Sequence, residues 1–152
     1  MRYFFDTEFI EDGKTIELIS IGLISEDGRE FYAESNEYDA KKASPWVKAH
    51  VFPKLKGGAL DRKAIAKSIK AFVGPQPEFW AYYADYDWVV LCQLYGTMME
   101  LPESWPKYCM DLKQLMVERG NPNVPIQQAG HHNALSDAAW VRGTWLCLRR
   151  PY

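Results

Sequence analysis

The chain has 152 residues, 47% of them hydrophobic and 25% charged, which suits one domain with a substantial core over residues 1–152. Its net charge of −2 argues against a protein that coats long nucleic acid with its whole surface, but not against one that grips a short end. Three scattered cysteines, Cys92, Cys109 and Cys147, form no CxxC pair, which argues against a disulfide frame or a zinc site and for reduced thiols in the cytoplasm.

Residues 2–9 read as a strand rich in aromatics. The Asp-Gly turn "EDGK" (11–14) leads to "TIELISIGLI" (15–24), a strand apolar on both faces and hence central. A second Asp-Gly turn, "EDGR" (26–29), leads to a third strand, "EFYAES" (30–35). Three strands joined by such turns make an antiparallel meander.

The pattern then turns helical. Over 44–52, Ser44 offers an N-cap and Pro45 a first helical position. Over 61–73, Asp61 is the cap and Ile65, Ile69 and Phe72 share one stripe. "EFWAYY" (78–83) reads as a buried strand, and 86–96 as a helix closed by Gly96. Residues 107–111 form a short strand candidate and 111–119 a short helix. The last helix, 133–150, has an apolar stripe of Ala134, Ala138, Val141, Trp145 and Leu148. Helical crossovers place later strands parallel to their neighbours. The expected fold is therefore an α/β mixed sheet, three antiparallel strands extended by parallel ones, with helices covering it.

No run approaches the roughly 18 apolar residues of a membrane span. The opening "MRYFFDTE" is too short and too acidic for a signal peptide.

Asp6 and Glu8 stand two apart on the first strand, so both point to one face, with Phe5, Thr7 and Phe9 on the other. A solvated edge would also tolerate two acids, but Phe4 shares their face. Adjacent carboxylates repel, and a hard divalent cation reverses that cost. Asp87 follows a later strand at the mouth of a helix, with Asp85 two residues earlier; either could be a helix cap. Strand carboxyl ends are where sites gather in open α/β sheets. In "HHNALSD" (131–137), Asn133 is an N-cap and Asp137 flanks the apolar stripe, so it leans inward. His132 lies on the incoming loop, where it is either a general base or an idle surface histidine.

This order of acids resembles the DEDDh 3′–5′ exonucleases of the ribonuclease H-like superfamily, along nearly the whole chain. Asp6 and Glu8 match the first motif, Asp87 in "YYADYDWVVL" the second, Asp137 the fourth carboxylate, and His132 the histidine five residues before it. The size and "DTEFIEDG" look most like a small bacterial and phage exoribonuclease branch similar to RNase T. The resemblance implies that Asp6, Glu8, Asp87 and Asp137 hold two Mg²⁺ or Mn²⁺ ions about 4 Å apart. One ion would activate a water, the other would stabilise the leaving 3′-oxygen, and His132 would take the water's proton. It also implies substrate contacts at Thr7, Phe9 and Tyr83, with Phe9 either stacking on the terminal base or packing in the core. The family often carries small polar residues where Phe9-Ile10 stand, and Asn where Tyr83 stands. Glu17 resembles a recurrent family position without an evident role.

The implied substrate is the 3′ end of single-stranded RNA or a 3′ overhang, released as nucleoside 5′-monophosphates. A proofreading-type DNA exonuclease fits the same motifs, because RNA is told from DNA by contacts to the 2′-OH. A catalytically idle nucleic-acid-binding module on the same fold is the other alternative. Family members often dimerise, which allows a homodimer. Lys63, Lys67 and Lys70 read as a solvated face.

Overall fold

A computed structural model describes residues 1–127 and 130–149. Among the described residues, five strands form one sheet in the order β3-β2-β1-β4-β5. The strands β1 (Arg2–Glu11), β2 (Ile16–Ser25) and β3 (Glu30–Glu34) are the antiparallel meander. Gly13 (φ 82°) and Gly28 (φ 93°) supply the left-handed backbone that the two Asp-Gly turns require. The strands β4 (Glu78–Ala81) and β5 (Met110–Asp111) then extend the sheet in parallel from β1. This is the mixed sheet expected from the sequence.

The helices are α1 (Pro45–His50), α2 (Arg62–Phe72), α3 (Ala84–Gln93), α4 (Leu112–Glu118) and α5 (Ala134–Leu148). The expected caps form. Ser44 accepts from the Val47 amide at 3.2 Å, Asp61 from Ala64 at 2.8 Å and Asn133 from Ser136 at 3.2 Å. One face of the sheet packs Phe5, Ile21, Leu23 and Phe79 against Ile65 and Ile69 of α2 and Val90 and Leu91 of α3. The other packs Phe4 and Trp80 against Leu112, Val141, Trp145 and Leu148. The entire stripe foreseen on the last helix is buried. Residue 150, expected at its end, lies outside the described residues.

Several boundaries differ from the expectation, for physical reasons. The strand expected over 78–83 stops at Ala81, because Tyr83 turns left-handed (φ 54°). Helix α3 starts two residues early, at Ala84, and neither Asp85 nor Asp87 caps it. Instead the Ala84 amide donates to Asp111 Oδ2 at 2.9 Å, a partner distant in sequence. The strand expected over 107–111 shrinks to two residues, since Asp111 leaves it to cap α4 as well. Short 3₁₀ turns at Ala40–Lys42, Phe52–Lys54 and Met98–Glu100 carried no periodic signal to read. Glu17 acquires a structural role. It pairs with Lys42 at 2.7 Å and accepts from the Asp39 amide at 2.8 Å, tying down the first of these turns.

Two local irregularities position the site. The β1–β2 register shifts between Glu8 and Phe9, leaving Ile19 as an extra residue on β2. Ile19 thereby joins Ile10, Ala43 and Val51 in a separate small core. Gly22 pairs with Asp6, and an added Cβ there would lie 2.4 Å from Leu135 Cα and N. The missing side chain lets the first turn of α5 rest directly on the sheet. No described helix is long and apolar enough to cross a membrane.

Candidate active site

Parallel pairing of β1 with β4 ends at Phe4–Trp80, so Asp6 and Glu8 project from β1 beyond the carboxyl end of β4. This is the end of an α/β sheet at which ligand sites form. Helix α5 crosses the same face, seated by Gly22, and brings Asp137 down to the two β1 acids. Carboxylate oxygens of Asp6, Glu8 and Asp137 all lie within 4.8 Å of one another.

Asp137 is held from two sides. Its Oδ1 accepts from Gln127 Nε2 at 2.7 Å, and its Oδ2 accepts from the His132 backbone amide at 2.9 Å. The second contact requires His132 to adopt a left-handed backbone, φ 62°. The His132 ring then packs edge-on against Trp46 of α1, with ring centroids 4.6 Å apart.

Asp87 comes from the opposite face. It is buried in the first turn of α3, and its Oδ1 accepts from the Thr7 amide at 2.9 Å and from the Thr7 hydroxyl. Its charge reaches Asp6, but it stands outside the group of three converging oxygens. Thr7, expected at the substrate, is buried with its hydroxyl given to Asp87. The alternation of the strand explains this: Thr7 points away from the acids' face and toward α3. Phe9 packs partly buried against the core, edge-on to the exposed Tyr86 with centroids 5.8 Å apart. Tyr83 is exposed beside Tyr82, centroids 4.4 Å apart.

Electrostatics set these acids apart from ordinary surface carboxylates. Burial, reinforced by Asp87, Asp137 and Glu8, pushes Asp6 well above the usual carboxylate range. Burial, with Asp137 and Asp87, raises Glu8 to about 8. Burial also raises Asp137, against the opposing bonds from Gln127 and His132. Three oxygens this close cannot all carry charge cheaply without a cation between them. Their oxygen-only donor set fits a hard divalent ion. An open cavity of about 470 Å³ adjoins them, lined by Asp6, Tyr82, Ile126, His132, Asp137 and Trp140.

These shifts predict an unusual stability profile. A raised acid is equally neutral in folded and unfolded chains at low pH, and it destabilises the fold once the unfolded group ionises. With EDTA, stability should fall as pH rises from about 4 to the region of 8 where Glu8 ionises. Saturating Mn²⁺ should remove that decline. Melting temperature against pH, with and without metal, checks both; a metal-free protein that gains stability across this range would contradict the assignment.

The fold and the motifs together have known counterparts. The model of the 3′-5′ exoribonuclease Rv2179c-like domain matches residues 1–148. The chain belongs to the Rv2179c-like family. Within that family it is 47% identical over 146 residues to 3′-5′ exoribonuclease Rv2179c of Mycobacterium tuberculosis H37Rv, covering 91% of this chain and 87% of that protein. It matches exoribonuclease MT2234.1 of strain CDC 1551 equally, at 47% identity. The Rv2179c-like chain also resembles E. coli exonuclease I in fold. Against the zinc-bound complex of that enzyme with single-stranded DNA, the TM-score is 0.62 at 15% identity, covering 93% of this chain. A ligand-free exonuclease I gives a TM-score of 0.61 at 13% identity. The chain spans only 38% of exonuclease I in the first comparison, so that likeness establishes the ribonuclease H-like fold alone.

Residues that sequence reasoning missed are Trp46, which packs on the His132 ring, and Gln127, which donates to Asp137. Trp46 and Gln127 sit in segments with no motif spacing, far from the β1 acids in sequence. Nothing local to them signals the contact.

Proposed function

We propose that this protein is a cytoplasmic, metal-dependent 3′-5′ exoribonuclease, a single catalytic domain acting on the 3′ end of single-stranded RNA and releasing nucleoside 5′-monophosphates. The observation that carries this reading is the convergence of Asp6, Glu8 and Asp137 within 4.8 Å in a chain of the Rv2179c-like family. Asp6, Glu8 and Asp137 would hold one Mg²⁺ or Mn²⁺, and Asp87, close enough to act on Asp6, would complete a second position with its remaining oxygen. Bound there, two such ions supply activation of a water and stabilisation of the leaving 3′-oxygen. The homodimer allowed by the family resemblance belongs to the same reading.

The protein's own groups divide the work. The rigid strand β1 fixes the spacing of Asp6 and Glu8. Thr7 holds Asp87 through two hydrogen bonds, and Gln127 and the His132 amide hold Asp137. Burial lowers the His132 pKa, so the imidazole is neutral near pH 7 and able to accept the proton of the attacking water. Its ring edge on Trp46 orients it at the cavity. Tyr83, exposed beside the cavity-lining Tyr82, would offer a ring on which bases stack without sequence preference, and Phe9 would do so only from its partly buried place beside Tyr86.

The test uses 5′-labelled single-stranded RNA and matched DNA with Mn²⁺, Mg²⁺ or EDTA. Metal-dependent shortening from the 3′ end, faster on RNA, is the expected result. Faster loss of DNA would move the assignment to a DNA exonuclease, and binding without cleavage would leave an idle binding module. His132→Ala should lower kcat by about 10²–10⁴-fold while leaving metal affinity unchanged.

A further inference from the structure

We propose that Lys54 and Lys56, on the stretch that follows α1, grip the phosphates of the RNA upstream of the bond being cut. The proposal deepens the exoribonuclease reading and rests on it.

The geometry begins with the strand register. Glu8 pairs with Ser20, and Ser20 with Glu34; Asp6 pairs with Gly22, and Gly22 with Tyr32. Tyr32 and Glu34 therefore stand on the acids' own face, two strand spacings away, about 10 Å. Glu34 is buried and does not face the cavity. It accepts from the Lys56 amide, from the Gly57 amide at 3.0 Å and from the Tyr32 hydroxyl at 2.7 Å. A buried carboxylate spent on two loop amides fixes that loop against the sheet. Lys56 is thereby laid over Tyr32, with its Nζ 4.8 Å from the ring centre. At the other end of the stretch, Trp46 of α1 touches the His132 ring. The chain from 46 to 57 is thus held at both ends, at Trp46 against the His132 ring and at Lys56–Gly57 against Glu34, and runs beside the site.

Charge points the same way. The acids make this region negative, and an RNA phosphate approaching them is repelled until metal binds. Three cations elsewhere are held in ion pairs: Arg2 with Glu26 and Glu78, Arg29 with Asp27, and Lys42 with Glu17. Lys54 and Lys56 make no ion pair among the described residues, and Lys54 is near enough for its charge to act on His132. About 10 Å is one Debye length at 0.1 M salt, so phosphates near this stretch feel these cations. The lysines of α2, Lys63, Lys67 and Lys70, are solvent-exposed on the helix that covers the opposite side of the sheet.

The test compares the wild-type protein, a Lys54→Gln/Lys56→Gln variant and a Lys63→Gln/Lys67→Gln control on 5′-labelled RNA with Mn²⁺ at several salt concentrations. The expected result is a KM raised about tenfold by the first pair with kcat within about twofold. The plot of log kcat/KM against log salt should also become shallower by about 0.7 per lysine. Unchanged KM and salt slope, or an equal loss in the control pair, would overturn the proposal while leaving the nuclease reading intact. A wild-type protein that shortens no RNA with metal would overturn both.

Discussion

Replacing Asp6 by Asn is expected to abolish RNA shortening, by at least about a thousandfold, while raising the metal-free melting temperature. The two effects share one cause. Asp6 lies within 4.8 Å of Glu8 and Asp137 and also feels the charge of Asp87. Removing its charge relieves a repulsion that burial amplifies, so the metal-free fold gains stability. If Asp6 is the metal ligand proposed, the same change would remove one anionic ligand from an ion whose charge stabilisation is worth several kcal/mol in the transition state. A purely structural acid would behave in the reverse way: its loss would cost stability and spare activity. Single-turnover rates and calorimetry on the same preparation, in EDTA and in Mn²⁺, separate the two cases.

The second large effect is expected from a residue with no side chain. Gly22→Ala would place a Cβ 2.4 Å from the backbone of Leu135. Backbone cannot swing aside as a flexible side chain does, so α5 must lift off the sheet. Overpacking of this kind costs about 1–3 kcal/mol, or about 2–12 °C in melting temperature for a chain of this size. The lifted helix carries Asp137 away from Asp6 and Glu8, so activity should fall further than stability alone explains. Measuring activity well below the melting temperature isolates that part. A Gly22→Ala protein with wild-type rates and full stability would mean that the close approach of α5 is not what sets the acid cluster.

Much of the fold and site was legible in the sequence, and the reasons are specific. The Asp-Gly turns required left-handed glycines at 13 and 28, which fixed the meander. Ser44, Asp61 and Asn133 announced helix starts because their side-chain oxygens satisfy free amides. The spacing of Asp6 and Glu8, and the inward lean of Asp137, followed from strand and helix periodicity alone. What stayed hidden depends on contacts between distant residues. Asp111 caps α3 from 27 residues away, Thr7 binds Asp87 across 80, and Gly22 matters only because α5 happens to cross it. Lys56 reads as an ordinary loop lysine until Glu34 is seen to hold its amide. Local patterns carry no record of such pairings.

If the acids of β1 and α5 exist to hold metal, the metal can be located. Crystals grown with Mn²⁺ and diffraction recorded at the manganese absorption edge would do so. The expected result is an anomalous peak bounded by Asp6, Glu8 and Asp137, with a second toward Asp87 about 4 Å away. Full occupancy by Mn²⁺ elsewhere, with no peak between Asp6, Glu8 and Asp137, would contradict a metal-holding role for these acids.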